Sequence, residues 1–320
     1  MTRKLIAAMV TRNLIAPGYP FLEAIYSILR TADMLYILDD SSDGTEKILQ
    51  ELSKNKKIKI IKERWKTQLK NGRAIGVAQT NLVNEIKKRH LHDYILLMQS
   101  NEIIHENAYT KVKEFLSLYE NEPYSSYALP FQSYSGRILQ GIDWRIRIGL
   151  LSNKISSLGD GTQISILNDA GSIYAAKFLF KSFLYFVKYD SFYDRLFNLS
   201  KRKIMPMILP EPIFRYHLFP DNLISRYAAH VALYKGNKRY EIVLNKLKEI
   251  SSTDNLDEFF LFYLKILSDT EHNPKNSEYH RNEAQHVKTN IDTHPKIIRD
   301  LINKKAYVVR RSLINSILKL

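Results

Sequence analysis

Through the first hundred residues, short runs of consecutive apolar side chains alternate with longer stretches of helical periodicity. Residues 5–10 and 34–38 are apolar throughout and too short for stable helices, so both are predicted as buried strands. Between them, after Pro17-Gly18-Tyr19-Pro20, Ala24, Ile25, Ile28 and Leu29 share one face of a predicted helix over 21–32. The same reading gives a helix over 45–52 with Ile48, Leu49 and Leu52 inward, a strand at 58–61, a helix over 74–88 and a strand at 94–98. Strands alternating with helices imply βαβ units, right-handed crossovers and a mainly parallel sheet.

Past residue 120 the rhythm changes. Residues 127–130 and 145–151 are expected to be strands with no helix between them, and the second alternates Arg with Ile as a half-buried antiparallel strand does. Residues 163–167 are a further candidate. From about residue 175 the chain turns aromatic and is expected to be helical, most clearly over 254–268 and 295–320. The polar, His- and Asn-rich stretch 270–293 reads as a long loop. The expected organisation is an α/β domain over 1–220 and a helical C-terminal extension over 221–320.

Composition narrows the classes. With 320 residues, 45% hydrophobic and 25% charged, the chain is globular rather than disordered, and 20 tyrosines and 14 phenylalanines are available to a core. The absence of cysteine removes disulfides, thiolate nucleophiles and cysteine zinc sites, and fits a cytoplasmic setting. A formal charge of +15 favours anionic partners such as nucleotide phosphates or an anionic membrane. No zinc finger or helix-turn-helix is found, so a nucleic-acid partner is not expected. No run reaches the apolar length of a membrane span; residues 178–187 come nearest and are interrupted by Lys181.

Two polar clusters follow predicted strands. Asp39-Asp40-Ser41-Ser42-Asp43-Gly44-Thr45 comes directly off the second strand. In open α/β sheets ligands sit beyond the carboxyl ends of strands, so Asp39 and Asp40 are placed at a binding rim. The plainer alternative is a solvated turn leading into a helix cap. Gln99-Ser100-Asn101-Glu102-Ile103-Ile104-His105-Glu106 follows the fourth strand and would share that rim. Its oxygens suit hard cations such as Mg²⁺ or Mn²⁺ bridging substrate phosphates. Alone, it would be a polar loop entering a helix.

The order of these features resembles the family-two glycosyltransferases of the GT-A fold. The resemblance spans roughly residues 5–167. It implies a mixed, mainly parallel central sheet with helices on both faces, and inverting transfer of a sugar from a nucleotide-diphosphate donor to a glycan, lipid or protein acceptor. Carried over, Asp40 accepts from the base with Asp39 nearby, Thr11 contacts the nucleotide, and Arg73 supplies a basic contact to base or phosphate. A surface arginine at a helix start is the alternative for Arg73. The second cluster is similar to a Gln-Ala-Asp-Glu subgroup whose acidic motif binds the metal, which places Asn101 and Glu102 at the metal position. Asn101 stands where that pattern has a carboxylate. Three consequences follow: a weak metal site, reliance on Glu102 alone, or a chain that binds donor without turning it over.

Inverting transfer needs a general base for the acceptor hydroxyl. Asp143, Asp160 and Asp169 are candidates, and Asp160 comes first because its flanking glycines permit close approach. A Gly-Asp-Gly turn is its structural alternative. His217 reads as a third metal or phosphate ligand or as a satisfied structural histidine, and His105 as a helix cap. In the C-terminal helix, Ala306, Val309, Leu313, Ile317 and Leu320 form an apolar stripe beside Lys304, Lys305, Arg310, Arg311 and Lys319. Such a helix can lie on an anionic bilayer or pack on its own domain.

Overall fold

A computed structural model of the chain describes residues 3–69, 73–121, 126–151, 155–157, 164–167, 173–174, 207–209, 211–233, 238–251, 253, 255–270, 287–302, 304 and 306–320. The first half runs β1 (Leu5–Thr11), α1 (Phe21–Thr31), β2 (Met34–Asp39), α2 (Thr45–Leu52), β3 (Ile58–Lys62), α3 (Arg73–His90), β4 (Tyr94–Leu97), β5 (Glu102–Ile104) and α4 (Lys111–Ser117). Then come the long strands β6 (Ser126–Ser135) and β7 (Ile138–Leu150), and the short β8 (Ile155–Ser157), β9 (Ile164–Leu167) and β10 (Ile173–Tyr174). The last part holds β11 (Met207–Ile208), β12 (Ile213–His217), α5 (Pro220–Leu233), α6 (Lys238–Glu249) and α7 (Leu256–Thr270). It ends with β13 (Val287–Lys288), α8 (Lys296–Ile302) and α9 (Arg311–Leu318).

The main sheet has the order β3-β2-β1-β4-β7-β6-β12-β5, with β11 on β6 and β13 on β7. β3, β2, β1 and β4 are parallel, and β7 joins β4 antiparallel. The expected mixed α/β architecture is thus present, with helices on both faces. Its strands β1, β2 and β4 are buried on both sides, which is why they read as unbroken apolar runs. Along β1, Leu5, Ala7 and Met9 face a core with α1, α2 and α4, while Ile6 and Ala8 face a second core with α3. β2 and β4 divide in the same way: Leu35, Ile37 and Leu96 go to the first core, Tyr36, Leu38, Ile95 and Leu97 to the second.

Four expectations change. Residues 213–217, anticipated as helical, form β12, and Glu102–Ile104 form β5 rather than a loop, because the two strands pair antiparallel and β12 also pairs with β6. The described part of the 270–293 stretch includes β13 and a helical turn at Ile291–Thr293. The continuous helix expected over 295–320 is two helices. Between α8 and α9 the chain is anchored by Tyr307 and Arg310, which donate to the fully buried Glu23 of α1 at 3.1 and 2.8 Å. Leu313, Ile314 and Ile317 of α9 enter the first core, and Asn55 Nδ2 donates to the Ile317 carbonyl at 2.7 Å. The apolar stripe of the tail is therefore packed on its own fold. Helices α5, α6 and α7 close around a separate cluster that includes Leu223, Tyr227, Val243, Phe259 and Tyr263. No helix among the described residues is long and apolar enough to cross a membrane.

Candidate functional site

The carboxyl ends of β1, β2 and β4 form one rim, as the parallel register requires: Thr11 lies opposite Asp39, and the Met98 amide donates to the Ala8 carbonyl at 3.0 Å. Asp39 is buried, and its Oδ1 accepts from the hydroxyls of Thr11 at 2.7 Å and Ser41 at 2.6 Å. Asp40, the next residue, is partly exposed. One of its oxygens accepts from the Trp65 amide at 3.1 Å and lies 3.4 Å from Arg12 Nε. Of the two carboxylates, Asp40 is therefore the one open to a ligand, and Asp39 and Thr11 position the ends of their strands.

The rest of the first cluster builds the loop after β1. Asp43 Oδ2 accepts from the amides of Ile15 and Ala16 at 3.0 and 2.9 Å, and its Oδ1 from the Thr45 amide at 3.1 Å. Burial alone would raise the Asp43 carboxyl, but the bonds from Ala16, Thr45 and Ile15 outweigh it and leave its pKa below the usual value. Thr45 Oγ1 accepts from Leu14 and Ile15, and Asn13, held in the left-handed region at φ 51, accepts from the Ser42 amide at 2.8 Å. Short polar side chains tie two rim loops into one unit.

The second cluster is sealed inward. Asn101 is buried, and its Nδ2 donates to the Tyr216 carbonyl at 3.0 Å, while the Tyr216 amide donates to the Asn101 carbonyl at 3.0 Å. Glu102 is fully buried: one oxygen is paired with Arg147, itself fully buried, and the other accepts from the Gln99 amide at 2.9 Å. Neither side chain offers a free carboxylate, and no group of three or more His, Asp or Glu able to hold a metal occurs among the described residues. This donor set does not fit a divalent cation bridging phosphates. His105 caps the turn that follows, accepting from the Asn107 amide at 3.2 Å.

Around Arg215 stands a cluster of guanidinium groups. Arg215 of β12 lies opposite Glu102 in the strand register. Arg145 and Arg147 of β7 sit against the Phe131 ring at 4.1 and 5.3 Å. Arg226 of α5 reaches His217 Nε2 at 2.6 Å. Burial and the charges of Arg226 and Arg215 hold His217 well below the ordinary histidine range, so the neutral ring accepts from Arg226 and donates from Nδ1 to Asn222 at 3.3 Å. Asn222 in turn donates to the Pro17 carbonyl at 3.1 Å, which fastens α5 to the loop after β1. His217 is a positioning residue.

Of the remaining expected site residues, Arg73 opens α3. Asp143 is a residue of β7, opposite Phe131. Asp160 and Asp169 lie outside the described residues, as does the apolar stretch 178–187. The arginine cluster was the part missed by sequence reasoning. Its local signals were the Arg–Ile alternation over 145–151 and the alternation Phe214-Arg215-Tyr216-His217, both with the period of a strand. An apolar cavity lined by Leu96, Ile104, Ala108, Leu129 and Ile148 lies in the core, with no part in this rim.

No family model and no curated protein matches the chain. Among solved structures, S. aureus TarS is similar over 99% of this chain and 55% of its own, with 10% identity and a TM-score of 0.38. This chain thus spans little more than half of that protein. A TarS structure of residues 1–349 gives 12% identity, 87% and 83% coverage and a TM-score of 0.36. A putative glucose-1-phosphate thymidylyltransferase from Bacillus anthracis, in complex with a sucrose, gives 11%, 73% and 96%, with a TM-score of 0.34. The fold rests on the sheet order given above, not on these scores.

Proposed function

We propose that the chain is a glycosyltransferase that uses a nucleotide-diphosphate sugar. The observation that carries this reading is the rim built by Asp39 to Thr45: a partly exposed Asp40 carboxylate beside Asp39 and Asp43, whose hydrogen bonds tie the loops of that rim together. Asp40 accepts N–H donors of the base, Thr11 and Asp39 set its position, and Arg73 stands ready for base or phosphate. Transfer proceeds with inversion. The acceptor hydroxyl oxygen attacks the anomeric carbon, the bond from that carbon to the diphosphate oxygen breaks, and the proton passes to a carboxylate. Asp160 is the proposed base. The acceptor is a hydroxyl of a glycan, lipid or protein, and the setting is cytoplasmic. Peripheral contact with an anionic membrane would use surface lysines and arginines, since the tail's apolar face is packed.

A second reading is favoured by the inward commitment of Asn101 and Glu102: a nucleotide-sugar-binding protein that no longer turns over its donor. One assay separates them. Uridine, guanosine and thymidine diphosphate sugars are incubated with the protein and release of nucleoside diphosphate is measured. Release lost in Asp160→Asn supports the transferase. Binding of a donor without release supports the second reading, and absence of binding by every donor removes both.

A further inference from the structure

The loop after β1, residues 12–20, is held from two sides. On the first it is bonded to the rim. The Asp40 amide donates to the Thr11 carbonyl at 3.1 Å, immediately before the loop. The Asn13 amide donates to Ser41 Oγ at 2.9 Å, the Ser42 amide donates back to Asn13 Oδ1, and Asp43 accepts from Ile15 and Ala16. The loop also closes on itself, with the amides of Gly18 and Tyr19 donating to the Ile15 and Leu14 carbonyls at 2.9 and 3.0 Å. Its shape is therefore bound to that of the residues flanking Asp40.

On the second side the loop meets the chain between α8 and α9. Gly18 has a φ of +70, and a Cβ on it would stand 3.3 Å from Tyr307 Cβ and 3.5 Å from the Phe219 ring. The missing side chain lets Tyr307 come up against the loop backbone. The Tyr307 ring packs with Phe21 of α1 and with Phe219, at centroid distances of 6.0 and 6.2 Å. Its hydroxyl donates to the buried Glu23 of α1, which Arg310 also holds. A short loop containing a proline, a glycine and two left-handed residues has few apolar contacts of its own to keep one shape. Support from outside the loop is what a binding rim of fixed geometry requires.

We propose that Tyr307 is a positioning residue for the Asp40 rim: its ring braces the loop after β1 and couples the segment between α8 and α9 to ligand binding at Asp40. That the ligand is a nucleoside diphosphate rests on the nucleotide-sugar reading; the brace itself does not. Residue-resolved amide hydrogen exchange tests the brace on the unliganded protein. In Tyr307→Ala the amides of Ile15, Ala16, Gly18, Tyr19 and Ser42 are expected to exchange about tenfold faster or more, with those of Ile37 in β2 and Leu96 in β4 unchanged. Affinity for the uridine, guanosine or thymidine diphosphate that binds should fall about three- to tenfold. Tyr307→Phe keeps the ring and gives up only the hydroxyl bond, so loop protection and affinity should stay near those of the unaltered chain. Coupling is reciprocal. Bound nucleoside diphosphate should therefore slow exchange at Leu313 and Ile314, whose amides donate to the Arg310 carbonyl.

Unchanged loop exchange in a folded Tyr307→Ala would overturn the proposal, as would a loop that opens while the Ser42 amide and the ligand affinity stay as they were. Exchange that rises equally in β2 and β4 would also overturn it, since Tyr307 would then support the whole fold and not the loop. Should Tyr307→Ala fail to fold, Tyr307→Leu takes its place in the exchange series. If no nucleoside diphosphate binds the unaltered chain, faster exchange at Ser42 in the variant would keep the brace and remove the nucleotide-sugar reading. Binding with an unmoved loop would do the reverse.

Discussion

Asp39 and Asp40 are adjacent in the chain and differ in what their environment lets them do. Asp39 is buried with both hydroxyl donors in place, so its removal strands the Thr11 and Ser41 hydroxyls. Asp39→Ala is expected to lower stability by about 1–3 kcal/mol in urea unfolding. Asp40 has one backbone donor and a partly exposed arginine near it. Asp40→Ala should therefore leave the unfolding midpoint almost unchanged while nucleoside affinity falls. A large stability loss in Asp40→Ala would mean that its role is structural. Sequence alone placed both carboxylates at the rim, because a strand end fixes where they lie. It did not separate their tasks, since that depends on hydroxyls and amides brought from Thr11 and Trp65 by strand pairing and loop packing.

Elements carry the next level of the account. The β6–β7 hairpin turns at Gly136, whose φ is +56 and whose added Cβ would stand 2.7 Å from the Phe260 ring of α7. Gly136→Ala meets both backbone strain and overpacking, and a loss of about 2–4 kcal/mol in urea unfolding is expected. The C-terminal segment is fixed by a different device. Glu23 is fully buried, and burial raises its carboxyl despite the bonds from Arg310 and Tyr307. Arg310→Met leaves that carboxyl without its cation and should cost about 3 kcal/mol, whereas Glu23→Leu combined with Arg310→Met should recover most of it. No recovery in the double variant would show that Arg310 acts through other contacts. The strands β1, β2 and β4 were legible because burial on both faces writes an unbroken apolar run. β5 and β12 were not: they are short, and their strand state comes from pairing with one another across more than a hundred residues of chain, and, for β12, with the distant β6 as well.

At the scale of the molecule, buried neutral histidines couple stability to pH. His294 accepts or donates at Tyr216 and Thr289 at 2.8 and 2.7 Å, and burial first, then Arg299 and Arg137, push its pKa down to about 4. His230 is lowered to about 3, again chiefly by burial, and His217 lies well below 6.5. Folded pKa values below the unfolded value of 6.5 mean that the unfolded chain binds protons that the folded chain does not. Their contribution is present above 6.5 and is lost as pH falls from there toward the folded values. The thermal midpoint should drop between pH 7 and 4.5, with a shallower slope in His294→Gln; a flat profile would contradict this.

The rim was readable from the chain because strand ends place it, whereas the fastening of α5 to the loop after β1, through Asn222 and the Pro17 carbonyl, joins residues far apart in sequence and was not. The most direct measurement of the central claim is equilibrium binding of nucleoside diphosphates to the intact chain, compared with Asp40→Ala. The account predicts saturable binding of at least one nucleoside diphosphate and its loss in the variant. Binding that is absent for every base, or unchanged in Asp40→Ala, would contradict it.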